Sequence, residues 1–223
     1  MDHIILFSII GAVLSADITM FGQFMISRPI FCGPLFGYIL GDIHTGLWLG
    51  MIVEMMWINA IPMGVSVPVD LTMMTSLAVI WSCSFFQGNQ ECAIFALAIA
   101  IPFAYLYKEV DLAGRLFNTK IMHWVENGLE KGYENRIKKG IYLGLIFFFI
   151  RTSVMYGLLL FLGGLLYKEM YSYLPVQVIV SFKKAWYYLP VFGFGAVLYN
   201  FRNIKIPFIN IKKPSIVKTY RLF

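Results

Sequence analysis

Residues 33–56 read GPLFGYILGDIHTGLWLGMIVEMM. The run is apolar enough for a bilayer, yet Gly33, Pro34, Gly37, Gly41, Gly46 and Gly50 punctuate it, and Pro62, Gly64 and Pro68 follow. A simple membrane helix of about 20 apolar residues is not interrupted so often. Backbone loosened by Gly and Pro is tolerated at membrane depth only where it is buried in protein or lines a cavity. Residues 30–69 are therefore read as broken or re-entrant helices, the device by which transporters build sites near the bilayer midplane.

The rest of the chain agrees. Of 223 residues, 59% are hydrophobic and 13% charged, with a mean hydropathy of +0.73; soluble domains average about 45–50% and 25%. This excludes a disordered chain, a nucleic-acid-binding domain and an ordinary soluble enzyme. The fold class expected is an all-α polytopic membrane protein with broken or re-entrant segments, crossing the bilayer roughly five to seven times. Residues 3–21 form a first apolar stretch, 71–86 another, 87–92 a polar turn and 93–107 a helix with Pro102 near its end. Residues 141–167 form a long helix containing Arg151. Residues 174–200, interrupted by Lys183, Lys184 and Pro190, are expected to form a short hairpin or bent helix and then a crossing. No internal repeat or low-complexity tract is visible. The first segment lacks a basic n-region and the surroundings of Ala16 fit a cleavage site poorly, so no cleaved signal peptide is expected.

Charge is divided unevenly. Residues 1–107 hold one base, Arg28, and six acids; residues 108–223 hold the other 17 bases and six acids. Basic excess between and after apolar segments marks cytoplasmic loops. Four regions are expected: a membrane region at 1–107 with the site, an amphipathic cytoplasmic connection at 108–140, membrane helices at 141–201, and a basic cytoplasmic tail at 202–223. The turn at 168–173 then lies outside.

Enzyme motifs are absent: there is no P-loop, HExxH, GxSxG or complete GxGxxG. His3, His44 and His123 are scattered, and Cys32, Cys83 and Cys92 read as small buried hydrophobes, so neither a metal nor a cofactor is expected. The informative residues are acids among apolar neighbours, because a charge at the centre of a membrane helix costs about 2.5–3.5 kcal/mol. Asp42 and Asp70 each precede a helical run and suit N-caps. Glu54 has no cap signal; a carboxylate in a protected cavity can accept two sugar hydroxyls through charge-assisted bonds. Trp57 and Asn59 are near enough to complete such a site. Arg28 pairs with an acid or lines a gate, and Arg151 either snorkels or pairs inside the bundle.

These residues resemble the membrane C component (IIC) of the mannose/sorbose-type sugar phosphotransferase system. That family shows an RP pair, a G-x-x-LGD-x-x-TG-x-x-x-G-x-x-x-E run and a later PD-like pair. The matching positions are Arg28, Pro29, Gly37, Leu40, Gly41, Asp42, Thr45, Gly46, Gly50, Glu54, Pro68 and, with one residue intervening, Asp70. Arg151, Leu174-Pro175, Leu189-Pro190 and Gly193 extend the likeness over roughly residues 5–202. The resemblance implies a transport subunit, not itself an enzyme, that binds a hexose or related sugar in the bacterial inner membrane. It implies a membrane D subunit (IID) and soluble A and B components (IIA, IIB) as partners, in a heteromeric complex with homo-oligomeric symmetry. The B component would phosphorylate the emerging sugar from a histidine. Sugar contacts would fall to Glu54, Asn59 and Asp70, with Gln23 a further candidate.

Two departures stand out. Ser27 replaces a residue that is often histidine before the RP pair. The family also continues with one or two apolar segments beyond the point matching Phe201, whereas residues 202–223 are too polar to span. That difference motivates an alternative, a non-transporting scaffold or sensor derived from such a subunit. Acids beside broken helices motivate another, an ion-coupled secondary carrier.

Overall fold

The computed structural model describes residues 3–20, 22–58, 67–86, 89–133 and 135–201. Seven helices are formed among them: α1 (Ile4–Thr19), α2 (Pro29–Ile39), α3 (Ile43–Met56), α4 (Leu71–Phe86), α5 (Gln90–Leu129), α6 (Asn135–Ser172) and α7 (Val176–Phe201). The fold is an all-α membrane fold. At 1.5 Å per residue, α2 and α3 reach only about 17 and 21 Å, short of the roughly 30 Å hydrocarbon core. α5 and α6, of 40 and 38 residues, are long and apolar enough to cross it.

The stretch at 33–56 folds as a tight helical hairpin. Pro29 opens α2 at the position where its missing N–H costs nothing. Gly41 turns the chain at φ +82°, a left-handed conformation that side chains resist. Asp42 then caps α3, its Oδ1 accepting the Thr45 amide at 3.0 Å. Gly33 and Gly37 on α2 face Gly46 and Gly50 on α3 so closely that a Cβ at any of the four would strike the opposite backbone. In lipid, apolar burial gives helices little reason to associate, so small-residue seams of this kind carry the packing.

α4 is the hub. Every residue from Leu71 to Ser82 is buried, and α1, α2, α3, α5 and α6 all pack on it. Trp81 lies over Gly163 and donates from Nε1 to the Leu160 carbonyl at 3.2 Å. Tyr156 fills the notch at Gly11. α7 packs on α3 and α5, with Trp48 and Trp186 stacked at 3.6 Å. Large apolar side chains are left exposed along α6, among them Ile150, Val154, Phe161 and Leu165, as expected of a surface facing lipid or another subunit.

Three expectations about elements change. The boundary at 107 falls inside α5, which continues through Pro102 to Leu129. The span 108–140 is thus the far half of α5, a turn at Gly132 and the first residues of α6. Side-by-side pairing with α6 sustains the long helix, including the Tyr107–Thr152 hydroxyl contact at 3.1 Å. Gln90–Cys92, read as a turn, form the first turn of α5, where Glu91 complements the helix dipole. Residues 176–201 form one helix, Pro190 included, rather than a short hairpin or bent helix followed by a separate crossing; Lys183 and Lys184 both sit on its exposed side.

Candidate functional site

A cavity of about 300 Å³ lies where the end of α1, the strap 22–28, the approach 67–70 to α4, and α5 converge. This matches the lower end of small-molecule sites, about 300–1,000 Å³. Its polar wall comes from Ser15 and Asp17 of α1, Gln23, Ser27 and Arg28 of the strap, Asp70 and Thr72 at the start of α4, and Tyr107, Asp111 and Arg115 of α5; Phe148 of α6 adds an apolar face.

The strap is held at both sides. Buried Asp17 accepts from the Phe24 amide (2.8 Å), the Ser27 amide (3.3 Å) and the Ser27 hydroxyl (3.1 Å). From the other side Thr72 donates to the Ser27 carbonyl at 2.7 Å. These anchors fix a backbone that includes two non-glycine residues at positive φ, Gln23 (54°) and Met25 (64°). Such conformations cost of order 1–3 kcal/mol each and persist only where the surroundings over-determine them.

Asp70 caps α4 and borders the cavity. Its Oδ1 accepts the Met73 amide at 3.0 Å and its Oδ2 the Ser15 hydroxyl at 3.3 Å. Ser15 in turn contacts the hydroxyl of fully buried Tyr156 at 3.2 Å. A carboxylate offers about four lone-pair sites, so acceptor capacity is left for a ligand.

The remaining sequence-derived residues separate into groups. Gln23 borders the cavity and donates from Nε2 to the Ile18 carbonyl at 3.5 Å. Glu54 is not on the wall; its Oε1 lies 3.2 Å from Nη1 of Arg28, which is. Pro29 also borders the cavity. Gly41, Asp42, Thr45, Gly46 and Gly50 build the hairpin instead. Asn59 lies outside the described residues. Arg151 pairs inside the bundle with Asp111, which also holds Arg115 at 2.8 Å. Gly114 leaves the room this requires, since a Cβ there would overlap the Arg151 guanidinium. Sequence reasoning did not assign Ser15, Thr72, Tyr107, Asp111 or Arg115 to the site. One signal was available for Asp111: it and Arg151 are opposite charges 40 residues apart, placed almost symmetrically about Gly132. Among the described residues no group of three or more His, Cys, Asp or Glu side chains could hold a metal ion.

A helical bundle with a short helical hairpin, two helices long and apolar enough to cross a bilayer, and a polar cavity between its helices defines the class of a helical membrane protein. The chain belongs to the EII-Sor family, described as the sorbose-specific IIC component of the phosphotransferase system, whose model matches residues 2–209. A 90-residue segment, 40% of this chain, is 31% identical to the Escherichia coli K12 protein "Putative N-acetylgalactosamine permease IIC component 2", and the match spans 65% of that relative's length. Among solved structures, one described as "Structure of membrane protein" matches 91% of this chain and 81% of its own at TM-score 0.71. A chain of "CryoEM Structure of Mannose Transporter ManYZ and Microcin E492 (MceA) complex" matches 93% and 83% at TM-score 0.64. Both are 20% identical to this chain and show a shared fold.

Proposed function

We propose that the chain is the sugar-translocating IIC subunit of a mannose/sorbose-type, phosphoenolpyruvate-dependent phosphotransferase system. It binds a hexose or related sugar in the cavity beside Asp70 and presents it to the B component. The transferred phosphoryl group leaves a histidine nitrogen of B as the N–P bond breaks. It joins a sugar hydroxyl oxygen, and the hydroxyl proton ends on that nitrogen. The observation that carries the reading is the cavity itself, in which carboxylate, hydroxyl, amide and guanidinium groups meet over an apolar floor. A polyhydroxylated ring needs donors and acceptors together, and a buried site built to hydrogen-bond hydroxyls discriminates strongly against ligands that lack them.

The chain acts with a membrane D subunit and soluble A and B components, in a complex with homo-oligomeric symmetry, in the bacterial inner membrane. The hairpin around Gly132 and the basic C-terminal tail face the cytoplasm, a placement that rests on their charge. Membranes containing this chain and its partner components, given phosphoenolpyruvate and a panel of labelled hexoses, amino sugars and sorbose, are expected to convert one sugar class to its phosphate. Uptake of unmodified sugar that collapses with an ion gradient would replace this reading with an ion-coupled carrier. No phosphorylation by an assembled complex would leave a scaffold.

A further inference from the structure

Glu54 and Arg28 are joined, yet only one of them reaches the cavity. Arg28 is the N-cap residue of α2 and its side chain is 29% exposed on the cavity wall. Glu54, near the end of α3 and 17% exposed, stands behind it. The pair is made through Oε1, which takes the Nη1 contact, while Oε2 is buried with no hydrogen-bond partner among the described residues. A guanidinium carries five N–H donors in a rigid fork. One-point attachment to Glu54 therefore leaves other guanidinium donors that Glu54 does not engage, on a residue that borders the cavity. The backbone beneath is fixed, because Ser27 is held by Asp17 and Thr72 and Gly50 packs against the Pro29 carbonyl.

We infer that Arg28 is the hydroxyl-binding donor of the sugar site and that Glu54 is its positioning residue, acting on the sugar only through the guanidinium. The inference rests on the sugar-carrier reading above and reverses the role that the sequence motif points to for Glu54. Arg28 then supplies donors to ring hydroxyl oxygens, while Asp70 supplies acceptors to ring hydroxyl protons.

A double-mutant cycle separates this from direct contact by Glu54. The assay is phosphoenolpyruvate-dependent uptake of radiolabelled mannose, with sorbose in parallel, by membranes carrying the full complex; co-purification of partners confirms assembly of each variant. Arg28→Gln is expected to raise KM about tenfold or more, the scale of one lost charged hydrogen bond. Glu54→Gln keeps an acceptor for Nη1 and is expected to raise KM about threefold with Vmax unchanged, a smaller effect because the guanidinium stays in place. The double variant is expected to match Arg28→Gln alone, since Glu54 has no route to the sugar once the guanidinium is gone. A double variant worse than Arg28→Gln by the full Glu54→Gln factor overturns the inference, as does a wild-type KM in Arg28→Gln. If Arg28→Gln does not assemble, phenylglyoxal modification of the wild-type complex, mapped by mass spectrometry, decides. Bound mannose or sorbose is expected to slow labelling at Arg28, and unchanged labelling overturns the inference. An assembled wild-type complex that phosphorylates neither these nor any other sugar removes the carrier reading and this inference with it.

Discussion

Gly46→Ala is expected to prevent the IIC subunit from folding into a stable form, although it adds one methyl group. The Cβ would meet the Gly33 carbonyl oxygen and would sit 2.9 Å from the Gly37 Cα. These are backbone atoms, so no rotamer change relieves the overlap; the helices must separate along the whole seam. Forced overpacking costs typically 1–3 kcal/mol even where side chains can give way, so a cost of about 3 kcal/mol or more is expected here. Gly50→Ala should behave alike, because its Cβ would strike the Pro29 carbonyl. Gly195→Ala is the control: apart from its own helix, no described residue lies within 4 Å of its Cβ position, and alanine favours a helix by about 1 kcal/mol over glycine. Folded yield after size-exclusion chromatography in detergent, with thermal inactivation, checks all three. Normal yield from Gly46→Ala would mean that the hairpin is not packed through this seam.

Asp111→Ala is expected to be the most damaging substitution away from the hairpin. It removes the contact of Arg151 Nη2 with the Asp111 carboxylate, keeps only the Nη1 bond to the Asp111 backbone carbonyl, and leaves the guanidinium without a carboxylate partner on a side chain that is 12% exposed between α5 and α6. Breaking a buried ion pair from one side costs about 3–5 kcal/mol, whereas replacing both partners by apolar groups is often neutral. The Asp111→Leu/Arg151→Met double variant should therefore recover most of the stability lost in Asp111→Ala. Thermal inactivation of the three proteins tests this. A double variant as unstable as the single one would show that the damage comes from packing rather than an unpaired charge.

The turn and cap at Gly41-Asp42 were legible in the sequence because their causes are local, whereas the hairpin they join was not read. Proline at a helix start, glycine at a left-handed turn and aspartate at a cap act within a few residues of themselves. The glycines at 33, 37, 46 and 50 were read as breaks in a helix, yet they lie within helices and serve as a contact seam. Composition cannot distinguish these uses, because both need only the missing Cβ. The long helices were misjudged for a related reason. Pro102, Lys183, Lys184 and Pro190 are signals against a helix in isolation, and each is outweighed by neighbours or by an exposed face. The cavity was half legible. Asp70 and Gln23 were named, but Ser15, Tyr107 and Arg115 come together only through the packing of α1, α4 and α5. Glu54 was found as an unusual charge, while its place behind Arg28 depends on an angle between helices that no spacing encodes.

On the proposed function a sugar binds in the cavity beside Asp70. This is tested most directly by sugar phosphorylation in the Asp70→Asn and Asp42→Asn complexes. Both aspartates cap helices, and asparagine caps about as well as aspartate, so both variants should fold and assemble. Only Asp70 borders the cavity. Asp70→Asn is expected to raise KM about tenfold, the loss of one charge-assisted bond, and Asp42→Asn to leave KM unchanged. Equal KM values in the two variants would contradict the proposal and place the sugar elsewhere.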